Sequence, residues 1–128
     1  MFLFGKKKQD KAKPEKNIPE VNKDELLSQA IEKEKELEGS SGDDRVKLLN
    51  EIGSLYFQIE ELDKAAQYYE ESLEINKQLG KAYTDLIKIY NKKRQQAIDA
   101  KDGDKAKEYM DKVQNLMQMS KDVLRGKI

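Results

Sequence analysis

Neither cysteine nor histidine occurs among the 128 residues. Without thiols there is no disulfide, no thiolate metal site and no cysteine nucleophile, and without imidazole there is no histidine base. Only 2 prolines are present, Pro14 and Pro19, so nothing beyond Pro19 forbids helix. No apolar run approaches the ~20 residues that span a bilayer. A secretory leader places its positive charges ahead of its apolar stretch, whereas here "MFLF" precedes "KKK" and is too short. Residence in the cytoplasm is the expectation. Neither a P-loop nor a GxGxxG fingerprint occurs. The sequence offers no catalytic residue, no cofactor site and no metal site, and reads as a non-enzyme.

Charge is what the chain has in abundance, at 39% of residues against 37% hydrophobic. That balance fits a thin helical structure with much exposed surface. Net charge is zero, but residues 1–20 hold six Lys against three acids, 21–76 six bases against fifteen acids, and 77–128 thirteen bases against seven acids. Solvated helix faces explain such runs. Residues 1–20 lack periodicity and form a flexible basic arm. The remainder, 21–128, reads as one all-α domain of about five helices.

The first helix, 22–38, opens on a capping-box pattern, Asn22 with Glu25, and turns Leu26, Leu27, Ala30, Ile31 and Leu37 inward. The second, about 44–59, carries Val46, Leu49, Ile52 and Tyr56 at helical spacing. Asp63 is the expected N-cap of a third, with Ala65, Ala66, Tyr69, Leu73 and Ile75 facing in and Gly80 as its stop. A fourth carries Ala82, Tyr83, Leu86, Ile87, Tyr90, Ala97 and Ile98. After a turn at "KDGD", 101–104, the fifth runs from Asp104 toward 125 with Ala106, Met110, Val113, Met117 and Leu124 inward. Short links favour antiparallel neighbours.

An internal repeat underlies this order. "DKAAQYYEESLEI" at 63–75 aligns with "DKAKEYMDKVQNL" at 104–116, an offset of 41, and "LNEIGSLY" at 49–56 aligns with "YTDLIKIY" at 83–90, an offset of 34. The difference, seven residues, is nearly two helical turns and drifts only ~20°, so the fourth helix lengthens without changing its face. Residues 46–79 resemble a tetratricopeptide repeat, a helix–turn–helix unit of about 34 residues, through Leu49, Ile52, Gly53, Tyr56, Leu62, Ala65, Tyr69 and Ser72. Residues 80–119 match through Tyr83, Leu86, Tyr90, Ala106 and Met110, but carry Ile87 at the small position, and Lys77 stands where the first unit would close on proline. Helix 22–38 resembles the second half of a preceding unit and acts as a cap. The resemblance implies antiparallel hairpins in a right-handed superhelix. Two and a half units is near the lower limit of about three.

Gly53 lies inside the second helix, where a glycine costs about 1 kcal/mol relative to alanine. It is read as a packing residue that lets Ala65 and Ala66 approach.

By resemblance, function lies on a concave face built by the first helix of each unit. That face takes Lys47, Asn50, Ser54 and Phe57 from one unit, and Lys81, Thr84, Lys88 and Asn91 from the next. Phe57, outside the inward stripe, is either an exposed anchor or a contact with the first helix. Some members of the family clamp a terminal carboxylate there; Asp85, where an asparagine is wanted, speaks against it. "DAKDGDKAKE" at 99–108 fails the calcium-loop pattern. The implied role is a non-enzymatic adaptor that binds a protein or peptide. A self-associating homodimer is the alternative. A third reading is an accessory factor at a membrane surface or on nucleic acid. Phe2, Leu3 and Phe4 beside Lys6, Lys7 and Lys8 would touch an anionic membrane, and "NKKRQQ" at 91–96 would attract nucleic acid or an acidic partner.

Overall fold

The computed structural model describes residues 20–126. Five helices run α1 Glu20–Glu36, α2 Gly42–Gln58, α3 Leu62–Ile75, α4 Lys81–Asp99 and α5 Gly103–Leu124, with a 3-10 turn at Leu37–Gly39. The links are short, so each helix packs antiparallel on the next, α1 on α2 through α4 on α5. Beyond these sequential pairs, α2 also touches α4. The expected all-α class and the five helices are what the fold shows. The basic arm, with Phe2, Leu3, Phe4, Lys6, Lys7 and Lys8, lies outside the described residues.

Both hairpins turn in the same way. At the end of α2, Glu60 adopts a left-handed φ of 64°, its N–H donating to Phe57 O, while Glu61 N–H donates to Tyr56 O at 2.9 Å. At the end of α4, Lys101 has φ 60°, donating to Ile98 O, and Asp102 N–H donates to Ala97 O at 2.8 Å. This is the Schellman arrangement, here closed by residues other than glycine. The two turns stand 41 positions apart, the offset of the aligned helices that follow them. Each leads into its next helix after one N-cap residue, Glu61 or Asp102; only Asp102 caps with its side chain, accepting from Lys105 N–H at 3.1 Å.

Several boundaries differ from the sequence reading. Asn22 lies inside α1, which already begins at Glu20, directly after Pro19. Asp63 is in the first turn of α3 rather than at its cap, where its carboxylate favours the helix N-terminus and pairs with Lys93 at 2.8 Å. Gly80 does not stop α3, which ends at Ile75, but caps the start of α4.

The core is continuous through the hairpins: Ala30, Ile52, Tyr56, Ala65, Tyr69, Leu86, Ile89 and Tyr90 are all buried. Of the residues expected inward, Leu27, Ile31, Ile75, Ile98, Met110, Met117 and Leu124 are instead exposed, while Ile89 and Leu116 are buried. Ile75 and Ile98 lie at the C-terminal ends of α3 and α4; for the others the reason is geometric. α1 and α5 terminate the row, each lying against essentially one sequential neighbour, so only part of a broad apolar face is used. On α5 the inward face is Tyr109, Val113 and Leu116, one residue out of phase with Met110 and Met117.

Tyrosine hydroxyls tie the helices together. Tyr56 donates to Glu34 at 3.0 Å, and Tyr68, stacked on Tyr56 with ring centres 5.9 Å apart, donates to the same carboxylate. Tyr69 donates to Asp85 at 2.7 Å, and Tyr90 donates to Glu70. Burial, and then the carboxylate each one faces, raises all four phenols, Tyr56 to about 12. A raised phenol pKa means the fold holds the proton more tightly than the unfolded chain does. The stabilisation is therefore complete below the ordinary phenol value of about 10 and is lost as pH climbs through the folded value. Urea midpoints are expected to fall steadily above pH ~10, with phenolate absorbance lagging behind that of free tyrosine. Stability flat to pH ~12 would show that these hydroxyls do not hold the helices.

Candidate binding site

The eight residues proposed from the sequence lie on α2 and α4 in equal register. Lys47, Asn50, Ser54 and Phe57 are spaced three, four and three apart, as are Lys81, Thr84, Lys88 and Asn91. At 3.6 residues per turn this spacing keeps each set on one side of its helix, and α2 and α4 touch. Lys47, Thr84, Lys88 and Asn91 are exposed; Asn50 and Ser54 are half-buried. Phe57 is partly buried and packs against the core, so it is no free-standing anchor.

The floor between the two rows is a polar chain that the sequence only hinted at. Asp85 is 4% exposed and accepts from the Tyr69 hydroxyl of α3 at 2.7 Å. Lys81, one turn earlier on α4, reaches the same carboxylate oxygen at 3.1 Å. Ser54 accepts from Gln58 Nε2 of its own helix at 3.3 Å. Thus Lys81 is tied through Asp85 to Tyr69 of α3 and is committed to an ion pair. A buried carboxylate is retained only when it is paired and hydrogen-bonded. The hint in the sequence was an acid between Ala82 and Leu86, on the inward side of α4. Asn50 presents a second polar feature: its Oδ1 is buried with no hydrogen-bond partner among the described residues.

The other side of α4 borders a cleft of about 190 Å³ that the sequence did not reveal. Leu73, Leu86, Tyr90, Leu116 and Met119 line it, with Glu70, Glu74 and Lys77 at its rim. Its residues come from three helices and the α3–α4 link, so no single stretch of sequence announces it.

The "NKKRQQ" segment at 91–96 is less available than its charge implies. Lys93 is bound to Asp63, and Lys92 lies 3.7 Å from Glu60, so two of its three cations face the neighbouring hairpin. Among the described residues no cluster of acids fit to hold a metal ion occurs, and no helix is long and apolar enough to cross a membrane.

No protein-family model, no curated protein and no solved structure matches the chain.

Proposed function

We propose that the protein is a non-enzymatic cytoplasmic adaptor of the tetratricopeptide type. It binds a protein or peptide across the paired faces of α2 and α4. The observation that carries this reading is the two rows in equal register, one on each of two touching helices, whose polar side chains are largely outside the core. Two supports accompany it. The floor beneath the rows is held by the Tyr69–Asp85–Lys81 chain, which preorganises the groove and reduces the ordering cost of binding. The exposed cations Lys47 and Lys88 favour an acidic or carboxylate-bearing segment.

The test is affinity capture from the native cell with wild-type protein and a Lys47→Glu/Lys88→Glu variant. Lys81 is left intact because reversing it would set a second carboxylate against Asp85. Both changes are on exposed side chains, so the melting curve is expected to hold within about 0.5 kcal/mol. A specific partner should be lost by at least tenfold in the variant. Equal capture of every partner by both proteins removes the groove from the function.

A further inference from the structure

The internal repeat extends to side-chain contacts, and at one of them the two units part. At the offsets of 34 and 41, Tyr56 of α2 corresponds to Tyr90 of α4, and Tyr68 of α3 to Tyr109 of α5. Both pairs lie ring beside ring at nearly the same separation, 5.9 Å and 6.1 Å between centres. In each, the tyrosine of the earlier helix donates to a glutamate of the helix before it, Tyr56 to Glu34 and Tyr90 to Glu70. Glu34 then takes a second hydroxyl, that of Tyr68, and the two rings are only 4° from parallel. Tyr109 makes no such bond to Glu70 among the described residues, and its ring is tilted 37° to Tyr90. Beside it, between α3 and α5, lies a cavity of about 200 Å³ whose lining includes Ala66, Glu70, Ile89, Tyr90, Lys93 and Tyr109. This cavity adjoins the apolar cleft, with which it shares Glu70 and Tyr90.

The units differ in what stands over the second ring. Lys93 of α4 occupies the position of Ile59, which is buried just after α2 and lies 34 residues earlier. The Lys93 ammonium is 5.9 Å from the centre of the Tyr109 ring, and Asp63 fixes it there at 2.8 Å. An isoleucine at that place offers the ring no cation. A cation over the first ring does not separate the units, because Lys64 stands over Tyr56 and Lys112 over Tyr90. Tyr109 therefore has two competing partners: the ammonium it faces, and the carboxylate whose counterpart holds Tyr68. A cation–π contact and a charge-assisted hydrogen bond at a half-buried ring are of similar strength, so removing one selects the other.

We propose that Tyr109 is a clasp across the slot between α3 and α5, held open by Lys93 and closing on Glu70 when Lys93 is drawn away. Closing lays the ring parallel to Tyr90, fills the cavity and shuts that end of the apolar cleft. The step is a reorientation of one ring, since the ring centres already stand nearly as close as in the closed pair. The binding rows of α2 and α4 take no part in it, so the clasp stands or falls separately from the adaptor reading.

Double-mutant cycles followed by urea unfolding test it, with the first unit as the reference. Tyr68→Phe with Glu34→Gln measures a closed pair, expected to couple by about tenfold in the unfolding equilibrium constant. Tyr109→Phe with Glu70→Gln should couple by about twofold or less in the otherwise wild-type chain. That coupling should rise to the reference value once Lys93→Ile supplies the residue of the first unit. Near-UV circular dichroism should change with Lys93→Ile and not change when Tyr109→Phe is already present, a readout that a loss of stability alone does not move. Lys93→Gln, which removes the charge and keeps a polar side chain, repeats the comparison should isoleucine disturb the fold. A wild-type Tyr109–Glu70 coupling equal to the reference overturns the proposal, because the clasp would already be closed. A coupling that stays low in both Lys93 variants overturns it as well, because the lysine would then not be what holds the ring away.

Discussion

Gly53→Leu should cost about 3 kcal/mol or more and leave a loosened or unfolded hairpin. A Cβ at this position would stand 2.9 Å from Tyr69 Cε1 and 3.0 Å from Cδ1, closer than side chains approach in folded proteins. The ring has nowhere to go, because Tyr69 is fully buried and its hydroxyl is held by Asp85. The small side chains of Ala65 and Ala66 are therefore not the reason for the glycine; the face of an aromatic ring is. Even Gly53→Ala is expected to lose about 1–3 kcal/mol here, although alanine in a helix interior is normally worth about 1 kcal/mol more than glycine. The sign should reverse in a Tyr69→Leu background, where the clash is gone and only helix propensity remains. Urea titrations of the four proteins by circular dichroism measure this cycle. A Gly53→Ala protein more stable than wild type would show that the ring does not set the requirement.

Removing residues 1–40 should have an effect of similar size or larger, on the order of 5 kcal/mol, which is the whole stability of many small domains. The cut falls before Ser41, the N-cap of α2, so α2 to α5 keep their boundaries. It strips the α2–α3 hairpin of fully buried Ala30 and of Leu26 and Leu37 packed beside the core. It also takes away Glu34, the single acceptor for both the Tyr56 and Tyr68 hydroxyls. Arg45 loses the Leu37 carbonyl and keeps its bond to Glu71 at 2.7 Å. Glu34→Gln separates the terms, since it preserves shape while removing the charge, and should cost about 1–3 kcal/mol. Thermal melts of the three proteins decide the matter. If the truncated chain melts with wild-type cooperativity and midpoint, α1 is not a cap.

Position 53 also shows how far sequence reasoning reaches. The helix around it, its apolar side and the need for a small residue follow from local pattern alone. That the neighbour is Tyr69, sixteen residues away and fixed in turn by Asp85 another sixteen on, does not. The candidate groove divides in the same way. Equal spacing on two helices exposed the rows, but Lys81 looked like a free cation until Asp85 was seen to hold it.

By itself the sequence determined the all-α class, the five helices, their antiparallel order and the offset that relates the two hairpins. These follow from signals read within a few residues: apolar spacing near 3.6, the scarcity of proline, and short links that leave a helix little choice of neighbour. Only the tertiary structure decided which apolar side of α1 and α5 turns inward. Met110–Met117–Leu124 and Tyr109–Leu116–Val123 are equally periodic, and packing against α4 selects the second. The partners of the tyrosine hydroxyls were likewise decided in three dimensions, because a buried donor takes whichever carboxylate a different helix brings within reach.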